Sequence, residues 1–113
     1  MQLEVKAYLF DIVRAGELLL AFTSGRTRDE YLADPYLRSA VERQLEIIGE
    51  ATSKLAKWDP AIAAKITDYR KLINFRNVLI HGYADIDNEL VWDLIQTKLA
   101  LLIDEVRGLQ AWA

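Results

Sequence analysis

The chain has 113 residues, a length typical of one domain. It contains no cysteine, which excludes disulfides and thiolate metal sites. Hydrophobic residues make up 52% of the chain and the net charge is −3, an overall charge that is not typical of a nucleic-acid binder.

The N-terminal stretch MQLEVKAYLFDIV lacks the features of a signal peptide. It carries Glu4 and Asp11, and no basic start is followed by an apolar run. No stretch approaches the roughly 18 apolar residues of a membrane span. Together with the absence of cysteine, which suits a reducing compartment, these features predict a cytoplasmic protein that does not cross a membrane.

The beginning of the chain predicts a long helix followed by a short helical turn. Apolar residues at helical spacing mark a first helix that starts near Leu3 and ends near Ser24. Thr27 and Glu30, three residues apart, have the pattern of a capping box at the start of a short turn.

Two Asp-Pro pairs predict the starts of the next helical segments. Asp34-Pro35 and Asp59-Pro60 each place an N-cap acid before a proline at the first helical position. After the first pair, apolar residues repeat every three or four positions to about Lys57. The segment after the second pair is expected to break near Thr67 and to stop at Gly82, a C-cap type of glycine.

The last long helix is expected to begin at Asp87, an N-cap residue, and to run to about Leu109. Because the loops are short, neighbouring helices should be antiparallel. We therefore predict an all-α fold, an up-and-down bundle of four main helices plus a short helical turn, in a single domain over residues 1–113. The stretches ELLLAF and LALLIDEV are apolar nearly all round, and this surplus predicts a partner, most simply a second copy in a homodimer.

The charges are unevenly distributed along the chain. Residues 1–50 hold 6 basic and 9 acidic groups, residues 51–83 hold 6 and 2, and residues 84–113 hold 2 and 6. The middle segment therefore has a net charge of +4 (6 − 2), and it ends in RNVLIHGY, which holds the only histidine. This basic segment is either a solvated helix face or a surface for an anionic ligand.

No metal site and no cofactor site is expected. One histidine and no cysteine leave few metal ligands. Glu42, Glu46 and Glu50 are spaced to share a helix face, but no Glu-x-x-His accompanies them, so a solvated stripe is the favoured interpretation. A Gly-rich phosphate loop is also absent.

Arg76, His81 and Tyr83 are the candidates for chemistry. Positions five apart on an ideal helix lie about 140° apart, so His81 turns toward Arg76 only if the helix loosens at its end, which Gly82 permits. Histidine moves protons and a guanidinium stabilises charge on phosphoryl oxygens, which fits phosphodiester chemistry. The alternative is a helix-end histidine that only satisfies the last carbonyls.

The stretch RNVLIHGY, read as Arg, four residues, His, one residue, Tyr, resembles the motif of HEPN-domain proteins and most of all the HepT toxin subfamily. The stretch AVERQLEIIGEATSKL resembles the second-helix signature of that subfamily. HGYADIDNELVWDLI resembles its passage from the motif to the last helix. The resemblance covers about residues 35–105 and is less distinct in the N-terminal third.

The resemblance implies a HEPN bundle that acts as an RNase toxin, a homodimer that cuts RNA without a metal in a cleft between protomers. It implies that Arg76 and His81 are catalytic and that Asn77 supports the site. It also implies that Tyr83 receives AMP from the partner, an MntA-like minimal nucleotidyltransferase antitoxin.

Two other interpretations remain open. The chain could be a catalytically silent HEPN subunit that binds substrate or nucleotide for a minimal nucleotidyltransferase, or a plain structural helical dimer. The intact motif from Arg76 to Tyr83 favours the enzyme, because a binding module has little need for it.

Overall fold

The computed structural model describes residues 1–82 and 86–112, and within them the chain forms six helices and no strand. The helices are α1 (Leu3–Thr23), α2 (Arg28–Ala33), α3 (Pro35–Trp58), α4 (Pro60–Ala63), α5 (Tyr69–His81) and α6 (Asn88–Gln110). The predicted all-α bundle of four main helices plus a short turn is confirmed. The additional short helix α4 is the first part of the third predicted segment, separated from α5 by a bend.

Side-chain caps fix the starts of four helices. The hydroxyl of Thr27 accepts from the N–H of Glu30, whose carboxylate accepts from the N–H of Thr27, so the predicted capping box is confirmed. Asp34, Asp59 and Asp87 each accept a backbone N–H from the first turn of α3, α4 and α6, respectively. These boundaries follow from local sequence because each cap needs only residues a few positions away.

The bend between α4 and α5 fixes where α5 begins. Asp68 adopts the left-handed backbone conformation with φ 58°, which is uncommon for a residue with a side chain. The N–H and the hydroxyl of Thr67 both donate to the Glu105 carboxylate of α6, at 3.1 and 2.8 Å. The predicted break near Thr67 is confirmed, and its contact with Glu105 holds the beginning of α5 near α6.

Helix α3 lies at the centre of the bundle. It packs against α1 and against α5, while α1 also packs against α6. The core formed by α1, α3 and α6 consists of fully buried aliphatic side chains, among them Leu9, Ile12, Leu19, Val41, Ile48, Leu55, Val91 and Val106. Helix α5 differs from the other long helices, because it packs mainly on α3 and Leu79 is its one buried residue.

Part of the apolar surplus predicted for α1 and α6 is exposed. Leu20 is 45% exposed and Leu101 is 48% exposed, although Leu19 and Ile103 beside them are buried. These positions offer apolar surface to a partner. No helix in the described part of the chain is long and apolar enough to cross a membrane.

A groove of about 260 Å³ separates α5 from α6. Its lining comes from α3, α5 and α6 and is mainly apolar, with Leu45, Ile48, Leu72, Phe75, Leu94 and Leu101. The groove separates much of α5 from α6. The position of α5 is therefore set mainly by its contact with α3.

Candidate functional site

Helix α5 carries three of the four residues that the motif identifies, namely Arg76, Asn77 and His81. Tyr83 lies outside the described residues, so its role stays a prediction. Within residues 1–82 and 86–112, no group of three His, Asp or Glu side chains is arranged to hold a metal ion. The candidates for chemistry are therefore the polar side chains of α5.

Helix α5 stays regular up to its last residue, His81. The N–H of Gly82 donates to the carbonyl oxygen of Val78 at 2.8 Å and closes the final turn, and Gly82 has φ −121°, outside the left-handed region. The loosening that would turn His81 toward Arg76 does not occur. Because five residues of a regular helix turn through about 140° and rise about 7.5 Å, the two side chains leave α5 in different directions.

Arg76 faces α3, and the base of its side chain lies against Gly49. The residue is partly buried, and its Nε is fully buried with no hydrogen-bond acceptor among the described residues. An N–H donor buried without an acceptor costs about 1–3 kcal/mol. Such an unpaired buried donor is uncommon in a folded chain, and it marks Arg76 as an unusual residue of α5.

The acidic residues that flank Gly49 on α3 do not supply this acceptor. Glu46 pairs with Arg43 at 3.3 Å, and Glu50 pairs with Lys54 at 3.3 Å, both within α3. Arg76 forms no ion pair with a carboxylate in the part of the chain that the structure describes. A guanidinium is well suited to bind a carboxylate or a phosphate.

Asn77 and His81 are both exposed, in contrast to Arg76. His81 lies in the last turn of α5. Arg76 and His81 share no hydrogen bond in the described structure. A single chain therefore holds Arg76 on α3 and presents His81 to the surroundings.

A small polar pocket of about 240 Å³ lies between the first turns of α3 and α6 and was not anticipated from the sequence. Arg38, Ser39, Glu42 and Asn88 contribute to its lining. Burial raises the pKa of Glu42, an effect that Arg38 reduces and that Glu46 reinforces. Glu42, like Glu46 and Glu50, is partly exposed, and its partial burial depends on packing that helical spacing does not report.

Comparison with known proteins identifies the family. A Methanocaldococcus jannaschii protein named "Putative RNase" is 34% identical over 103 residues, which are 91% of this chain and 84% of that protein. A Thermococcus cleftensis protein named "Probable ribonuclease HepT" is 33% identical over 97 residues, which are 86% of this chain and 87% of that protein. No solved structure gives a significant match. The family model described as "Ribonuclease HepT-like" matches residues 12–109, which include the whole of α5, and the chain belongs to this HepT-like family.

Proposed function

We propose that the chain is a cytoplasmic endoribonuclease toxin that cleaves RNA without a metal ion and is neutralised by a nucleotidyltransferase antitoxin. The observation that carries the proposal is the guanidinium of Arg76, which is partly buried and has no acidic partner among the described residues. An arginine in this state is suited to bind an anion such as a phosphate. The names of the two relatives point to RNA as that anion.

The proposed reaction uses the 2′-hydroxyl of the substrate as the nucleophile. A base removes the proton of this hydroxyl, the 2′-oxygen bonds to phosphorus, the bond to the 5′-oxygen breaks, and an acid protonates the departing oxygen. His81 serves as the acid or the base, and Arg76 stabilises the charge on the non-bridging oxygens. Asn77, next to Arg76, supports the site as a hydrogen-bonding group.

A second copy of the chain completes this proposed site. Because Arg76 and His81 leave α5 in different directions, a cleft between two chains is the place where Arg76 of one protomer meets His81 of the other. The exposed Leu20 and Leu101 offer apolar surface for a homodimer.

We expect Arg76→Ala and His81→Ala each to lower RNA cleavage by about 10²–10⁴-fold, the usual contribution of acid-base and electrostatic groups. His81 is exposed, so its removal should leave the melting temperature unchanged. Cleavage of a labelled RNA is measured beside circular dichroism melts. Arg14→Ala, an exposed arginine on α1, is the matched control and should cleave normally. Wild-type cleavage rates in His81→Ala would instead favour the interpretation that the chain is a catalytically silent binding subunit.

The shared cleft makes a separate prediction about mixed dimers. A heterodimer of Arg76→Ala with His81→Ala, purified through two different affinity tags, keeps one cleft with an intact arginine and an intact histidine. We expect it to recover up to half of the wild-type activity, whereas both mutant homodimers remain inactive. A monomer mass by sedimentation at micromolar concentration contradicts the model. A stable heterodimer without recovered activity contradicts the assignment of Arg76 and His81 to different protomers.

Cleavage should continue in EDTA, because the sequence supplies one histidine and no cysteine as metal ligands. The products should carry 2′,3′-cyclic phosphate ends, since the neighbouring hydroxyl attacks the phosphorus. Mass spectrometry of a short RNA cut by EDTA-treated protein measures both expectations. Activity that is lost in EDTA and returns with Mg²⁺ or Mn²⁺, or products with 3′-hydroxyl ends, would exclude this mechanism.

Tyr83 is the proposed point of control by the antitoxin. It lies two positions beyond the end of α5, and an AMP group on its hydroxyl would bring a phosphate and a base to the RNA site. The added negative charge would pair with Arg76 and repel the substrate.

Co-expression with an MntA-like nucleotidyltransferase should therefore add the mass of one or more AMP groups to the chain. The added mass should map to the peptide that contains Tyr83 and disappear in Tyr83→Phe. Tyr36→Phe, a change at an 88% exposed tyrosine, is the control and should still be modified. Neutralised toxicity with an unchanged mass would show that the antitoxin acts by binding alone.

A further inference from the structure

Helices α3 and α5 approach each other closely at Gly49 of α3. A Cβ atom placed on Gly49 would lie 2.4 Å from the Cβ of Arg76, 3.0 Å from the carbonyl oxygen of Leu72 and 3.2 Å from the Cγ of Arg76. Non-bonded carbon atoms pack at about 3.5–4.0 Å. Any side chain at position 49 therefore requires α5 to move outward by roughly 1 Å.

The two nearest atoms that oppose a side chain at Gly49 cannot rotate out of the way. The carbonyl of Leu72 belongs to the backbone, and the Cβ of Arg76 is attached directly to it. At Gly16 of α1, by contrast, an added Cβ would meet Cγ1 and Cδ1 of Ile103 at 2.8 and 3.2 Å, and these atoms move when the side chain changes rotamer. A substitution at Gly49 must therefore displace the helix that carries Arg76.

We propose that Gly49 is a positioning residue for Arg76: by lacking a side chain it lets α5 seat the base of Arg76 directly on α3, which sets the place of the guanidinium. The inference rests on the proposed function, because Arg76 must act on the substrate for its position to matter.

The environment of Arg76 supports this role. Its side chain is held at the base by α3, and its Nε is buried, so the path of the chain is fixed from the backbone to the guanidinium. Groups held in place before the substrate arrives need no reorganisation in the transition state. A displacement of about 1 Å from such a position can lower a rate by about 10²-fold.

The attachment of α5 allows the displacement without loss of the fold. Helix α5 packs mainly on α3, Leu79 is its one buried residue, and the groove toward α6 lies beside it. Tyr69, Leu72 and Phe75 of α5 pack against the core but are only partly buried, whereas the largest fully buried side chains lie outside α5. We therefore expect Gly49→Ala to fold with Arg76 out of place.

The test measures kcat and KM for a short fluorogenic RNA. Gly49→Ala should lower kcat by about 10–100-fold with a smaller change in KM, because Arg76 acts on the transition state. Gly16→Ala is the matched control, since it also adds a methyl group to a close helix contact. It should lower the melting temperature by several degrees and keep kcat within about threefold. Gly108→Ala, where an added Cβ has no atom within 4 Å, should change neither.

A double-mutant cycle separates positioning from general damage. If Gly49 acts mainly through Arg76, then Gly49→Ala in the Arg76→Ala background should lower the residual rate by a smaller factor than in the wild-type background, because only the shift of His81 on the same helix remains. An equal loss in both backgrounds overturns the inference. The inference is also overturned if Gly49→Ala is as active as Gly16→Ala while Arg76→Ala is inactive. Wild-type cleavage by Arg76→Ala instead removes the proposed function itself.

The folded fraction of Gly49→Ala is measured alongside its rate. Rates are expressed per folded molecule, with the folded fraction taken from circular dichroism at 10 °C in trimethylamine N-oxide, which favours the compact state. A Gly49→Ala chain that remains unfolded there also overturns the inference, because Gly49 is then required for the fold rather than for the position of one side chain.

Discussion

The contact between α3 and α5 is the constraint on which the candidate site depends. Helix α5 carries Arg76 and His81 but packs mainly on α3, so the position of both side chains relative to the bundle follows from this one contact. Glycine in a helix interior costs about 0.5–1 kcal/mol relative to alanine. At Gly49 the glycine allows α3 and α5 to approach each other more closely than any side chain at this position would permit.

The molecule combines a tightly packed core with one less buried helix. The core of α1, α3 and α6 contains many fully buried aliphatic side chains, whereas α5 buries Leu79 alone and holds the donor Nε of Arg76 without an acceptor in the described structure. An unsatisfied donor costs about 1–3 kcal/mol, which a chain selected only for stability would avoid. The largest fully buried side chains lie outside α5, so this cost falls on the long helix that contributes the fewest buried residues to the bundle.

Features that depend on nearby residues could be predicted from the sequence. The capping box at Thr27 and the caps at Asp34, Asp59 and Asp87 involve groups within three positions, so their residue types report them directly. The break near Thr67 was also predictable, but its contact with Glu105 was not, because these residues are far apart in the sequence.

The arrangement of the candidate site could be predicted only in part. The motif identifies Arg76 and His81 by residue type and spacing, and ideal helical geometry correctly gives their different directions. The sequence does not reveal that the base of the Arg76 side chain lies against Gly49. The spacing of residues within one helix does not say which residue of another helix packs against a given glycine. The partial burial of Glu42 was missed for the same reason, since it depends on residues around the first turn of α6.

The distribution of ion pairs explains why the net charge of −3 does not describe the surface around α5. Acidic groups outside the basic segment are partly neutralised, since Glu89 pairs with Arg28 at 2.9 Å and Glu17 pairs with Arg107 at 2.6 Å. On α5, the Lys71 side chain is 83% exposed, and its Nζ lies 3.9 Å from the carboxylate of Asp68. An exposed ion pair at this distance is weak in water. Two exposed cations, Arg70 and Lys71, lie near the beginning of α5, in the same helix as Arg76. Because exposed charges act over roughly 8–10 Å at physiological salt, this local field affects binding more than the charge summed over the whole chain.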